Sequence, residues 1–367
     1  MMDRRLLSHF NLWYFLLILV IAGIGVITIH SANHTRVETF FRGLYLKQIY
    51  WILVGLVAMF IAVVVDYRVW SRYAWLIYAG MVLALLYVLF FGKVSSGAQR
   101  WIHLGPLTLQ VSEFAKYALI IILAKYFEEA KPQGQKYELK DLVVPFLLTA
   151  VLGGLIALQP DLGTALIIFF IFFVFVVAAE MEFRTLWRLG ASVLILAPLT
   201  WFLMKGYQKQ RVMTLFNPEL DPLGAGYHTI QSKIAVGSGG FWGKGLYAGT
   251  QSRLNFLPEK HTDFIFSVYA EEMGFLGVMV LFTLFLILVL KGLNIAYRAA
   301  DRFGVFLGLG IVAAISFYII FNIGMTVGLF PVTGLPLPLM SYGGSSLITT
   351  FFALGLLLNI EMRRNIL

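Results

Sequence analysis

The sequence predicts an all-α integral membrane protein, a bundle of about ten transmembrane helices with one long, partly ordered extracellular loop. Hydrophobic residues fill 60% of the 367 positions and charged residues only 13%, where soluble chains carry about 25% charged residues. The apolar residues stand in continuous blocks rather than amphipathic stripes, so the solvent facing most of the helices is lipid. The third observation is the Lys and Arg pattern. If the N-terminus starts inside, the inner segments hold fifteen of them and the short outer loops five, Arg36, Arg42, Lys47, Lys93 and Arg100. That bias places both termini in the cytoplasm.

The blocks run at about 12–31, 46–65, 73–92, 112–127, 141–159, 163–180, 187–204, 263–290, 303–330 and 342–360. Several approach the ~20 residues a spanning helix needs. The first follows Arg4 and Arg5 without a small-residue cleavage site, so it is expected to be retained rather than removed as a signal peptide. Residues 1–367 read as a single polytopic membrane domain. The outlier is the outer loop at about 205–262, with nine glycines and seven Lys or Arg against three acids. Loops of this length in compact proteins are functional or disordered. The interleaved Trp, Tyr and Phe favour order, and Tyr227–Ala235 reads as a short surface helix with Ile230 and Ile234 on one face.

The net charge of +9 is mostly this topogenic signal and calls for no nucleic-acid partner. With no cysteine, disulfides, thiolate nucleophiles and Cys-based metal sites are excluded. The six histidines are scattered without metal-ligand spacing.

Ionisable groups inside the apolar blocks cost about 2.5–3.5 kcal/mol each on insertion scales, so each needs a partner or a task. Glu113 and Lys116 are three apart and share a helix face. They form either an internal ion pair or the lining of a polar cavity in which Lys116 meets a phosphate. Asp161, in Gln159-Pro160-Asp161-Leu162-Gly163-Thr164, is expected first as a helix N-cap and second as a substrate contact. Glu271 and Glu272 point about 100° apart; one is expected to reach a basic residue such as Lys116, the other a neighbouring helix.

Asp263 differs from these because it stands at the boundary between the long loop and the run from Phe264 to Leu290, whose only charges are Glu271 and Glu272. A carboxylate there can meet a lipid-linked substrate from the bilayer and a polar acceptor from water. The alternative is a cap for the next helix, with Thr262 a competing cap. Read as continuous, that helix is about 40 Å long, so it tilts or protrudes and keeps Asp263 at the outer interface, with Glu271 about 12 Å deeper. The last outer loop, from Pro331 to Ser346, has three prolines and little charge. It reads either as a re-entrant wall of a cavity or as a rigid connector.

Six segments together resemble the SEDS family of bacterial cell-wall polymerases. They are Gly97-Ala98-Gln99-Arg100-Trp101-Ile102, Ser112-Glu113-Phe114-Ala115-Lys116, Gln159 to Thr164, Asp221 to His228, Pro258-Glu259-Lys260-His261-Thr262-Asp263-Phe264, and Pro336 to Gly344 including Ser341. The Gly249-Thr250-Gln251-Ser252 segment looks more like the elongation members than the division members. Val111 departs from the family, where many relatives have proline.

The resemblance implies a ten-helix peptidoglycan glycosyltransferase of the bacterial cytoplasmic (inner) membrane that polymerises lipid II. By motif match, Asp263 takes the place of an essential aspartate and Trp101 that of a sensitive tryptophan. Glu113, Lys116 and Asp161 fall on polar motif positions. The implied chemistry transfers a glycan from undecaprenyl pyrophosphate to a sugar hydroxyl, with Asp263 as general base. An ordinary aspartate, of pKa about 3.9, would be ionised but weak. Charge stabilisation of the departing pyrophosphate falls to basic residues, a divalent cation such as Mg2+, or both. Arg100, Lys116, Arg211 and Lys244 are unranked candidates. The glycine-rich loop is expected to clamp head groups, with Trp101 or Trp242 stacking on a sugar. The resemblance also implies a partner, a class B penicillin-binding protein transpeptidase, alongside membrane lipids. A lipid II flippase is the main alternative, since buried polar groups suit a transporter too; a non-catalytic scaffold is the third.

Overall fold

The computed structural model describes residues 9–34, 43–95, 98–104, 107–130, 136–179, 206–221, 224–253, 256–257 and 259–364, together with 181, 187, 190, 191, 202 and 204. Nine of the ten expected blocks coincide with helices; the one at 187–204 lies largely outside the described residues. The membrane helices are α1 (Leu12–Asn33), α2 (Leu44–Val64), α4 (Ala74–Phe91), α5 (Val111–Glu129), α6 (Val143–Leu158), α7 (Leu162–Ala178), α11 (Ile265–Tyr297), α12 (Arg302–Thr326) and α13 (Gly344–Arg363). Short helices lie between them: α3 (Tyr67–Arg72), and α8 (Gly206–Phe216), α9 (Ala225–Ser238) and α10 (Thr250–Arg253) in the long loop.

Among the described residues seven segments are long and apolar enough to cross a membrane, α6 being counted together with the helical turn that begins at Leu139. The polar breaks between blocks supply the helix starts. Asn11 accepts from the Tyr14 N–H at 3.0 Å, and Asp301 accepts from Gly304 at 2.7 Å, each satisfying a donor that the first turn leaves unpaired. In α12 and α13 the most apolar stretch is 72% and 78% buried, against 22–39% in the other spanning helices. These two, together with α5, which is buried along most of its length, form the centre of the bundle, and the less buried helices meet lipid. Small residues permit the closest approach: an added Cβ at Gly355 of α13 would stand 2.7 Å from the Met59 carbonyl of α2. At the far end of α2, the buried Asn359 amide donates to the Ala62, Val63 and Val65 carbonyls at 2.6–2.9 Å, closing carbonyls that the helix end leaves open.

Among the described residues there is one small sheet. The connection between α4 and α5 folds as β1 (Lys93–Ser95), β2 (Ala98–Leu104) and β3 (Leu107–Gln110), antiparallel in the order β1-β2-β3. Trp101 stands opposite Lys93 on one side and Gln110 on the other.

The main departure from the sequence reading is in α11, which is not one continuous helix. Gly274 has φ +64° and ψ −166°, a conformation that breaks the α-helix and strains any residue with a Cβ. The Phe266 and Phe282 rings stack at 5.9 Å, although sixteen residues of straight helix would hold them about 24 Å apart. The Tyr269 hydroxyl donates to the Gly277 carbonyl at 3.0 Å. Residues 265–273 therefore form a half-helix folded back against the spanning part of α11.

Candidate functional site

The fold-back reverses the expected depth order. Glu271 and Glu272 stand at the turn of the hairpin, and Asp263 lies at the other end of the half-helix, about 13 Å further toward the bilayer interior. The turn is held by the glycine-rich run. Phe275 N–H donates to the Gly240 carbonyl at 2.9 Å and Leu276 N–H to Phe241 at 3.2 Å. In return Lys244 and Gly245 donate to the Glu271 and Glu272 carbonyls at 3.1 and 3.0 Å. These bonds satisfy backbone groups that the break would otherwise leave unpaired in an apolar setting. The run expected to clamp head groups is thus packed into the helix break.

Both carboxylates of the turn are buried and partnered. Glu271 takes Lys244 Nζ at 2.7 Å, the Thr250 N–H at 2.7 Å and hydroxyl at 3.0 Å, and the Gln251 N–H at 3.1 Å. Its basic partner is Lys244, not Lys116. Glu272 accepts from the Ser31 hydroxyl of α1, the neighbouring-helix bond the sequence suggested.

At the inner end of the half-helix, Asp263 is half-buried. The Asn322 side chain of α12 donates both to the Asp263 carbonyl, at 3.0 Å, and to the Leu335 carbonyl, at 2.7 Å. The Ser341 hydroxyl donates to the Thr262 carbonyl at 2.6 Å and accepts from Leu337 N–H at 2.7 Å, while Tyr342 N–H meets the His261 carbonyl at 2.8 Å. Ser341 is thereby a buried staple between two loops. Gln48 of α2 extends the staple by donating to the Ser341 carbonyl at 3.0 Å.

The Pro331–Gly343 connection enters the bundle, as the first of its two sequence readings expected. An added Cβ at Gly25, two turns inside α1, would meet the Met340 backbone at 2.6 Å. An added Cβ on Gly334 would lie 3.5 Å from Asp263 Oδ2, so the absence of a side chain leaves the carboxylate uncovered there. Burial pushes the Asp263 carboxyl up to about 7, with the Glu259 charge adding; the hydrogen bond from Thr262 and the Arg211 charge oppose this. The carboxyl thus stands above the range of an ordinary aspartate, on which the sequence reading rests.

A second polar cluster adjoins through the same connection, since Gly163 of α7 packs on Leu335 and the Thr333 carbonyl. Its centre is Asp161, buried, which caps α7 at Thr164 N–H (3.4 Å) as expected. It also accepts from the Thr164 hydroxyl at 3.0 Å, the Ser112 hydroxyl at 2.9 Å and Gln110 Nε2 at 3.0 Å. Arg100 stands 3.8 Å away and donates to the Gln159 and Pro160 carbonyls, tying the sheet to the α6–α7 turn. Trp101 is partly exposed and shares a sheet face with Gln110, so it flanks this cluster. One turn below, Glu113 and Lys116 pair at 2.5 Å in full burial, with the Tyr318 hydroxyl on Glu113 at 2.8 Å and its ring 4.1 Å from the ammonium. That arrangement matches the internal ion pair of the two readings.

The sequence thus named Asp263, Arg100, Trp101, Asp161 and Ser341, which the structure gathers around the Pro331–Gly343 connection. It missed Asn322, Gln48, Gln110 and Tyr318. A lone amide within an apolar block, as in Phe321-Asn322-Ile323, is the signal the sequence carries for the first of them. Among the described residues no three His, Asp or Glu side chains converge on a cation site.

Beside the half-helix an apolar groove of about 490 Å³ runs between α11 and α12, lined by Phe282, Ile319 and Ile323 among others. A second, of about 340 Å³, is lined by Ala58, Trp70 and Tyr117 among others and lies apart from Asp263.

A carboxylate on a folded-back half-helix, walled by a loop that enters the bundle and by a buried polar cluster, defines a polytopic membrane protein with a polar site inside its helices. The chain belongs to the FtsW/RodA/SpoVE family, described as cell cycle protein, whose match spans residues 11–366. It is similar to the peptidoglycan glycosyltransferase MrdB of Escherichia coli (strain K12), 41% identical over 98% of this chain and 95% of that protein. A chain from a structure described as structural coordination of polymerization and crosslinking by a peptidoglycan synthase complex superposes with TM-score 0.82 at 33% identity, over 97% of this chain and 98% of the other. The Thermus thermophilus rod shape determining protein RodA superposes at 0.71 and 31% identity, over the same shares.

Proposed function

We propose that this protein is a peptidoglycan glycosyltransferase that polymerises lipid II in the bacterial inner membrane during elongation, with Asp263 as general base. The observation carrying this reading is the placement of Asp263, on the half-helix beside Gly334, where no side chain covers the carboxylate; burial, which pushes the carboxyl up to about 7, supports it. A base titrating near the working pH combines a useful ionised fraction with proton affinity. Asp263 takes the proton of the acceptor sugar hydroxyl as that oxygen bonds to the donor's anomeric carbon. The bond from that carbon to the pyrophosphate breaks, and undecaprenyl pyrophosphate leaves with the electron pair. One displacement inverts the anomeric centre and needs no second carboxylate.

The four basic candidates now separate. Lys116 is paired with Glu113, Lys244 with Glu271, and Arg100 with the α6–α7 turn. Arg211 is the candidate whose charge reaches Asp263, and it is assigned to the pyrophosphate. Trp101 lies beside the acceptor sugar and Asp161 orders the wall behind it. The groove between α11 and α12 offers a path for a polyprenyl chain. Asp263 faces the outer side, with both termini cytoplasmic, and a class B penicillin-binding protein crosslinks the product.

The test is conversion of lipid II to glycan strands by purified protein in detergent. Wild type makes polymer, and Asp263→Asn, isosteric but unable to accept the proton, loses at least about a hundredfold, the lower end expected for a general base. Unchanged polymer from the Asn variant overturns the assignment of the base. Absence of polymer from wild type under the same conditions favours a transporter.

A further inference from the structure

The tip of the glycine-rich run presents a patch that the proposed chemistry does not use. Trp242 is 76% exposed and Phe241 55%, and Leu246 and Tyr247 are exposed beside them. The tip is held firmly from beneath by the bonds to the helix break and by the Lys244–Glu271 pair. The Phe241 ring stacks on Phe275 at 5.8 Å and meets Trp242 edge-on at 5.1 Å.

What lies next to the patch decides what covers it. Phe275 and Leu276 are exposed, and Met279, Val280 and Leu286 continue the same apolar surface along the spanning part of α11. That surface faces lipid in a helix that crosses the membrane, and the tip extends it without a polar interval. Tyr247 is bound to the end of α1: its hydroxyl pairs with His30 Nδ1 at 2.9 Å, and His34 lies against its ring. Tyr45, at the start of α2, packs on His30 at 4.6 Å. Tyr, Trp and His side chains at the ends of two spanning helices mark the level of the lipid head groups, where such amphipathic rings concentrate.

We propose that the 241–247 tip is an interfacial anchor. Phe241, Trp242 and Leu246 enter the boundary between head groups and acyl chains of the leaflet on the Asp263 side. The occupant is phospholipid, not a sugar and not a soluble partner. Because the tip is bonded to the hairpin turn, this anchor fixes how deep the half-helix, and Asp263 at its far end, sits relative to the head-group plane. The inference rests on the spanning assignment of α11 and stands whether or not Asp263 is the base.

The chain has no cysteine, so single-cysteine probes report one position each. The full-length protein is reconstituted in vesicles with Trp242→Cys, Leu286→Cys or Glu219→Cys carrying a polarity-sensitive fluorophore. Leu286 marks the lipid-facing helix and Glu219 an exposed loop. Quenchers are nitroxide lipids labelled near the glycerol or near the methyl end of the acyl chain, and aqueous iodide. The Trp242 probe is expected to be quenched severalfold more by the shallow nitroxide than by the deep one, and severalfold less by iodide than the Glu219 probe. The Leu246→Cys probe, which leaves the Trp242 ring in place, is expected to give the same ordering. Iodide quenching equal to that of Glu219 at both positions, without response to either nitroxide, places the tip in water and overturns the proposal. Quenching strongest from the deep nitroxide, as at Leu286, overturns it equally.

Discussion

Asp263 has two charged neighbours of opposite sign, and they make its role measurable through pH. Glu259 adds to the larger upward push from burial, and Arg211 opposes it. A base must be ionised, so polymerisation by wild type is expected to fall as pH drops through about 7. Removing the acid neighbour, Glu259→Gln, moves this limb to lower pH; Arg211→Gln moves it to higher pH and also weakens donor binding if Arg211 meets the pyrophosphate. Initial rates of strand synthesis across pH, with kcat and KM separated, check both signs. At Glu113 and Lys116 a double-mutant cycle divides the two sequence readings. Breaking one partner of a buried pair leaves an uncompensated charge, at about 3–5 kcal/mol, whereas removing both is far milder. Glu113→Gln and Lys116→Met are therefore each expected to lower thermal stability, and the double variant to recover much of the loss. If the double variant is stable but inactive, Lys116 meets substrate as well as its partner.

The half-helix is the element the sequence conveyed least. Hydropathy reads 263–290 as one block because both arms of the hairpin are apolar, and a single glycine is tolerated within many helices. The legible sign was the Glu271-Glu272 pair. Two adjacent carboxylates point about 100° apart, so a plain spanning helix would have to turn at least one of them away from any shared partner. In the structure each has its own partner because both lie at the turn of a hairpin. The blocks themselves were legible for the opposite reason: lipid-facing helices must be apolar along their whole length. The sheet at 93–110 was not, since pairing among three short strands leaves little periodic signal. Gly274 carries the clearest prediction. An added Cβ would stand 2.2 Å from the Gly243 N atom, and φ is positive. Gly274→Ala is expected to destabilise the protein by more than the ~1–3 kcal/mol of a single strained backbone site, because the loop must also withdraw. A thermal-shift measurement in detergent reads this directly, with Gly80→Ala, where an added Cβ meets nothing within 4 Å, as the neutral control.

At the scale of the whole molecule, the described parts of every recognised segment, the short one at Gly249 included, lie around one end of the bundle. The far end carries backbone closures such as Asn359 on α2 and surface ion pairs such as Lys140–Glu138. Charge bias in the sequence assigns that far end to the cytoplasm, an assignment the fold cannot make by itself, because a bundle is equally stable in either orientation. Single cysteines in the cysteine-free chain decide it in intact cells with a membrane-impermeant thiol reagent. Glu138, half-exposed in the α5–α6 connection, belongs to the far end; Glu219, in the long loop, belongs to the Asp263 end. Glu219→Cys is expected to be labelled in intact cells, and Glu138→Cys only after permeabilisation. The reverse pattern would put Asp263 on the cytoplasmic side, where a polymerase acting on exported lipid II has no substrate, and the positions of the two termini would invert with it.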